Sequence, residues 1–268
     1  MQKTIISLIL LIITTLASAQ TQHDTIDVAI LGDSNTWLGG DDCSKPKGWN
    51  TYFKAEFKPK SCVSLARSGA SWTHTPQTVR NTAEYAAKPT PNNVIYNQVE
   101  HLKEKVDSAL IATPNLIIIA CGTNDGWFKA KYYPQLFVRT ANEAFSKYDS
   151  ITQTPVNKIV TLAESVVFNC TLLQNYFPKA RIILLTPMQS TAVPLTVIEQ
   201  IGDVIENCGK LMNISTIRQD KICCVKSADE RVKKVNTYDG THTSQVGAQK
   251  NGKVIALEIS KLLTQNQE

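Results

Sequence analysis

Four short segments carry side chains that can attack carbonyl groups or move protons. Leu31-Gly32-Asp33-Ser34-Asn35 closes an apolar run. Its Gly permits a tight turn that would present the Ser34 hydroxyl at a strand tip. In Ala66-Arg67-Ser68-Gly69-Ala70-Ser71, the backbone N–H of Gly69 is open to a ligand because no side chain blocks the approach. Cys121-Gly122-Thr123-Asn124-Asp125 offers the Asn124 amide as a donor to an oxygen that gains negative charge. Tyr238-Asp239-Gly240-Thr241-His242 supplies an imidazole as general base and, three residues before it, a carboxylate to orient it. Each segment alone also reads as a helix cap or an Asp/Asn turn. The nucleophile elbow GxSxG is absent from the chain.

These segments follow stretches that read as buried strands: 26–31, 61–65, 116–120, 181–186 and 214–218. Short β-branched runs without alternation suit a parallel sheet covered on both faces. Helical periodicity lies between them. Residues 97–111 place Val99, Leu102, Val106 and Leu110 on one side, and 157–177 repeat Ile159, Leu162, Val166, Cys170 and Leu173 before Pro178. Further helices are expected over 195–211 and 244–263. Alternating strands and helices predict a three-layer α/β sandwich, whose functional groups gather beyond the carboxyl ends of the strands.

The chain has 268 residues, 43% of them hydrophobic and 19% charged, enough apolar content for a substantial core. A net charge of +5 without a dense Lys/Arg run gives only weak support to nucleic-acid binding and does not require it, and no nucleic-acid partner is expected. Lys3, the aliphatic run 5–16 and Ala17-Ser18-Ala19 read as a signal peptide over residues 1–19, followed by one domain over 20–268. That apolar run is too short for a stable membrane span. The expected location is periplasmic or extracellular, an oxidising compartment for the seven cysteines. An odd number leaves at least one thiol free or paired between chains, and Cys121 reads as a buried thiol. Adjacent Cys223 and Cys224 are poorly placed to bridge each other. The cysteine spacings match neither a zinc site nor a redox CxxC. Pairing and oligomeric state stay open.

Taken in order, Gly-Asp-Ser, a glycine after the second strand, Gly-x-Asn-Asp and Asp-x-x-His resemble the SGNH hydrolases, the GDSL-type esterases, from Gly32 to His242. The resemblance implies a flavodoxin-like sandwich with a five-stranded parallel sheet of order 2-1-3-4-5. It implies cofactor-free and metal-free ester hydrolysis through an acyl-enzyme. Ser34 matches the nucleophile and, through its N–H, the first oxyanion donor. Gly69 and Asn124 match the second and third donors, His242 the base and Asp239 its orienting acid. Ser64 stands where the family often has Asn. Asp33 and Asp125 match block positions and read as structural.

The substrate is less legible. Trp37, Trp72 and Trp127 each follow a block residue by three positions, and Trp49 lies between blocks. Indole faces of this kind can stack on sugar rings. His74, five residues after Gly69, reads as a substrate contact. Export and a family rich in carbohydrate esterases favour a small-molecule or polysaccharide ester, O-acetylated glycans first. A lipase, lysophospholipase or thioesterase is the alternative enzyme, and a non-catalytic glycan-binding module the alternative of another class. The irregular stretches 72–97 and 220–237 read as candidates for substrate determinants. The sequons at Asn169 and Asn213 fall within expected helix or strand.

Overall fold

The computed structural model describes residues 23–83, 90–132 and 134–265, so the signal peptide read at 1–19 lies outside the described residues. Strands β1 (Asp27–Gly32), β2 (Ser61–Ser64), β3 (Leu116–Ala120), β4 (Arg181–Leu185) and β5 (Ser215–Ile217) form one parallel sheet in the order β2-β1-β3-β4-β5. The register sets Gly32 beside Ala120 and Ala120 beside Leu185, so the strand tips that carry the blocks are level. The helices are α1 (Ser34–Trp37), α2 (Trp49–Phe57), α3 (Ile95–Asp107), α4 (Thr123–Tyr132), α5 (Ala141–Phe145), α6 (Leu162–Tyr176), α7 (Leu195–Leu211), α8 (Gln219–Ile222), α9 (Ser227–Val232) and α10 (Gln245–Thr264).

The central strands β1, β3 and β4 are covered on both faces, which is why they read as near-continuous apolar runs, whereas the outer strands β2 and β5 are partly exposed. Val28, Ile30, Ile118, Ile183 and Leu185 pack with Phe53 and Phe57 of α2 and Ile255 and Ile259 of α10. The alternate residues Ala29, Leu31, Ile117, Ile119 and Leu184 pack with Val99 and Leu102 of α3, Val166 of α6, and Ile201 and Ile205 of α7. This is the expected three-layer architecture, with the expected strand order.

Several local expectations need correction. The helix expected over 97–111 runs from Ile95 to Asp107, and Leu110 is exposed. Ala109 turns left-handed at φ 53°, and Leu110 N–H reaches back to Lys105 O at 2.9 Å, closing the helix before its apolar stripe is complete. The helix expected over 157–177 starts at Leu162, because Thr161 caps it by accepting from Glu164 N–H. Asn169 is buried in that helix, where no glycan fits. The helix over 195–211 stands as read, and Ser244 caps α10 by accepting from Gly247 N–H.

The described part of 72–83 lies on α3 and α6, rather than forming a free loop. His74 N–H donates to Ser165 Oγ at 3.4 Å, and Arg80 pairs with Glu100 and Glu104 at 2.6 Å each. Residues 84–89 lie outside the described residues. The stretch 220–237 contains α9 and is pinned by Glu230, which accepts from Asn236 N–H and Thr237 N–H. All seven cysteines are thiols. Among the described residues no helix is long and apolar enough to cross a membrane.

Candidate active site

The turn that presents Ser34 is fixed by close packing. A Cβ at Gly32 would lie 2.6 Å from Ala120 O and 2.7 Å from Thr36 Oγ1, so a larger residue would push β1 off β3 or displace α1. Gln98 of α3 holds the same glycine from the other side. Its Oε1 accepts Gly32 N–H at 2.8 Å, and its Nε2 donates to Gly32 O at 2.9 Å. Asp33 caps α1 by accepting Asn35 N–H at 3.1 Å. Ser34 is therefore the first residue of a helix that starts at the sheet edge.

His242 is set by a turn built around one carboxylate. Asp239 Oδ1 accepts Thr241 N–H at 2.9 Å and His242 N–H at 2.7 Å. Its Oδ2 lies 2.6 Å from His242 Nδ1, and His242 Nε2 lies 2.9 Å from Ser34 Oγ. With the carboxylate ionised, Nδ1 carries the proton and Nε2 is free to accept from the Ser34 hydroxyl. Burial works to raise the Asp239 pKa, but the hydrogen bonds from the His242 ring and from the two N–H groups outweigh it, leaving the carboxyl below its ordinary value. The turn is latched to the nucleophile by Asn35, whose Nδ2 donates to Thr241 O at 3.3 Å and whose Oδ1 accepts Thr243 N–H at 3.1 Å.

The oxyanion candidates meet at the same corner. Arg67 N–H donates to Gly32 O at 3.1 Å, which lays the segment after β2 beside the nucleophile turn. Gly69 follows with φ 76°, a conformation that favours glycine. Asn124, near the start of α4, donates one amide hydrogen to Ala70 O at 2.8 Å and keeps the second for a ligand. Among the described residues neither Ser34 N–H nor Gly69 N–H is taken up by a backbone acceptor.

Asp125 joins these two segments by accepting Trp72 N–H at 3.0 Å and Thr73 N–H at 2.9 Å. Burial pushes both Asp33 and Asp125 up to about 6. A carboxyl whose folded pKa exceeds its unfolded value holds its proton better in the fold, so its contribution to stability declines as pH rises through that window. The stability of the wild type relative to Asp125→Asn is thus expected to decline between pH 4 and pH 7. Urea midpoints of both proteins across that range check it, and a constant difference would contradict it.

Two expected substrate contacts are instead core residues. Trp72 is fully buried and donates its indole N–H to Cys121 O at 3.2 Å. His74 is also fully buried, with Nδ1 at 3.2 Å from Val156 O and Asn169 Nδ2 at 3.3 Å from Nε2. Desolvation lowers its pKa to about 3, so it is a neutral packing residue. Trp49 is buried too, donating to Thr36 Oγ1 at 2.9 Å. Trp37 and Trp127 remain available, 38% and 48% exposed, one helical turn beyond Ser34 and Asn124. Trp72→Ala is expected to cost about 3–5 kcal/mol in urea unfolding, whereas Trp127→Ala should stay within about 0.5 kcal/mol. Equal costs would contradict this division.

Sequence reasoning missed Asn35, Gln98 and Tyr238. Tyr238 is half exposed, its ring stacked 5.7 Å from that of His242 at 15°, with Lys47 Nζ 4.8 Å from its centroid. Its place directly before Asp239 was the available signal. Among the described residues no group of three or more His, Cys, Asp or Glu could hold a metal ion.

A Ser–His–Asp row at the carboxyl edge of a parallel sheet, facing spare N–H donors, is an arrangement suited to acyl transfer. The chain matches the GDSL-like Lipase/Acylhydrolase family over residues 28–255 and belongs to that family. The fold is similar to that of a candidate lipase from Chitinophaga pinensis, at 15% identity, with 90% of this chain and 99% of that one covered and a TM-score of 0.56. It is also similar to an acetyl xylan esterase, at 15% identity, 88% and 99% coverage and a TM-score of 0.51. A mutant of an acetyl-xylooligosaccharide esterase from Geobacillus gives 17%, 90% and 96%, and 0.51. No curated protein matches the chain in sequence.

Proposed function

We propose that this chain is an exported serine esterase that removes O-acetyl groups from poly- or oligosaccharides. The observation that carries the reaction is the continuous row from Ser34 Oγ through His242 to Asp239, at 2.9 Å and 2.6 Å. His242 takes the Ser34 proton as Oγ attacks the ester carbonyl. Ser34 N–H, Gly69 N–H and the spare Asn124 amide hydrogen receive the charge that develops on the carbonyl oxygen. His242 then protonates the leaving alkoxide, and water, activated by the same imidazole, releases acetate from the acyl-enzyme.

The glycan part of the reading is supported by Trp37 and Trp127, which are exposed and follow Ser34 and Asn124 by one helical turn. Acetate release from acetylated xylan by the mature protein, with Ser34→Ala as control, tests it. The expected result is release that vanishes in the variant. Activity on p-nitrophenyl esters that peaks at long acyl chains, without release from xylan, would replace this substrate with a lipid or thioester. Glycan binding with no hydrolysis of any ester would make the protein a binding module.

A further inference from the structure

The segment from Gly39 to Gly48 leaves the nucleophile helix and returns against itself. A Cβ at Gly48 would lie 2.1 Å from Gly39 N, and Gly39 O accepts from both Ser44 N–H and Lys45 N–H at 2.9 Å. This closed loop touches both sides of the site. Asp41 O accepts Ser64 N–H from the end of β2 at 2.8 Å, and the Asp41 carboxylate holds Arg67 at 2.8 Å, two residues before Gly69. On the other side, Lys47 O accepts the Thr243 hydroxyl at 2.7 Å, one residue after His242.

Cys43 lies in this loop, buried, with its Sγ 3.6 Å from that of Cys62 on β2. We propose that Cys43 and Cys62 are a disulfide pair, a covalent staple that fastens the active-site loop to the sheet when the protein is oxidised. The backbones already run side by side through the Ser64–Asp41 hydrogen bond. Bond formation brings the sulfurs from 3.6 Å to about 2.05 Å. The hydrogen bond from the Cys62 thiol, assisted by one from Asn50 Nδ2 at 3.4 Å, holds the Cys43 thiol below its ordinary pKa against the effect of burial. Cys62 is pushed the other way, first by its hydrogen bond to Cys43 and then by burial, and burial raises Cys121, Cys170, Cys208, Cys223 and Cys224, so Cys43 is the thiol that loses its proton first.

The oxidant is a low-molecular-weight disulfide such as oxidised glutathione. The Cys43 thiolate attacks one of its sulfurs and expels one thiolate. The Cys62 thiolate then attacks Cys43 Sγ and expels the other. The two protein thiols lose two protons and two electrons, and the oxidant becomes two thiols.

The experiment equilibrates the mature protein with oxidised or reduced glutathione, traps thiols under denaturation and maps peptides without reduction. In the oxidised sample the expected result is loss of two of the seven thiols and a Cys43–Cys62 cross-linked peptide. Reduction should lower the Tm by roughly 5–10 °C, because the link closes a loop across 19 positions. The Cys43→Ala/Cys62→Ala protein should show no redox dependence of Tm. Seven thiols surviving in oxidised glutathione, or a cross-link between another pair, would overturn the assignment.

Discussion

Ser34→Ala is expected to lower kcat for ester hydrolysis by about 10⁴- to 10⁶-fold, with KM and Tm little changed. The size follows from what the substitution removes. Without Oγ there is no acyl-enzyme, and His242 can at best activate a water that the site did not evolve to hold. The proposed donors at Gly69 and Asn124 stay in place, so a small residual rate above the uncatalysed reaction is expected. The fold should tolerate the change, because α1 is capped by Asp33, and Gly32 is held by Gln98, independently of the hydroxyl. Steady-state rates on p-nitrophenyl acetate and a thermal melt test both halves. A variant retaining a tenth of the activity would remove Ser34 from the mechanism.

Asp239→Asn comes next, with an expected loss of about 10²–10⁴ in kcat. A carboxamide can present an oxygen to His242 Nδ1 or to the two backbone N–H groups, but not to all three at full strength. Turned the other way, its NH₂ would force the imidazole into the tautomer whose Nε2 carries the proton and cannot accept from Ser34. The Asp239 side chain is 41% exposed, so water can replace part of what is lost. The loss should therefore stay below that for Ser34. Because the pKa of Asp239 is lowered in the fold, it contributes stability above its unfolded pKa, which is lost as pH falls through the folded one. The same variant should accordingly be less acid-sensitive than the wild type, measured as the change in Tm between neutral and acidic buffer. Unchanged kcat would assign the orienting role elsewhere.

The central strands were legible because β1, β3 and β4 are buried almost throughout and write their composition accordingly; β3, Leu116–Ala120, is continuously apolar and its limits could be read directly, whereas β2 and β5 are half exposed and read more weakly. The residues of the Ser34–His242–Asp239 row were legible because each sits on a short block whose internal spacing is local. The failures share a different origin. Trp72 and His74 follow a functional glycine in sequence, yet their side chains turn inward against β3 and α6, a choice made by tertiary packing. Leu110 continues a helical period that the left-handed Ala109 cuts short, and no single residue type announces that turn. The Asn35 latch joins residues far apart in the chain and leaves no periodic trace. The short helices α5, α8 and α9 fall below the length at which periodicity can be recognised.

The reach of the triad along the chain has a consequence for when activity first arises. Ser34 and His242 are 208 positions apart, and the imidazole is held near the hydroxyl by a turn close to the C-terminus. On the proposed reading, a growing chain carries Ser34, on the turn after its first strand, well before the base, whereas the last strand, Ser215–Ile217, precedes His242 by only 25 positions. The proposed hydrolysis therefore requires the turn that carries His242 to dock against the nucleophile helix. Esterase signal during refolding would time that docking event and lag behind any probe of the central strands.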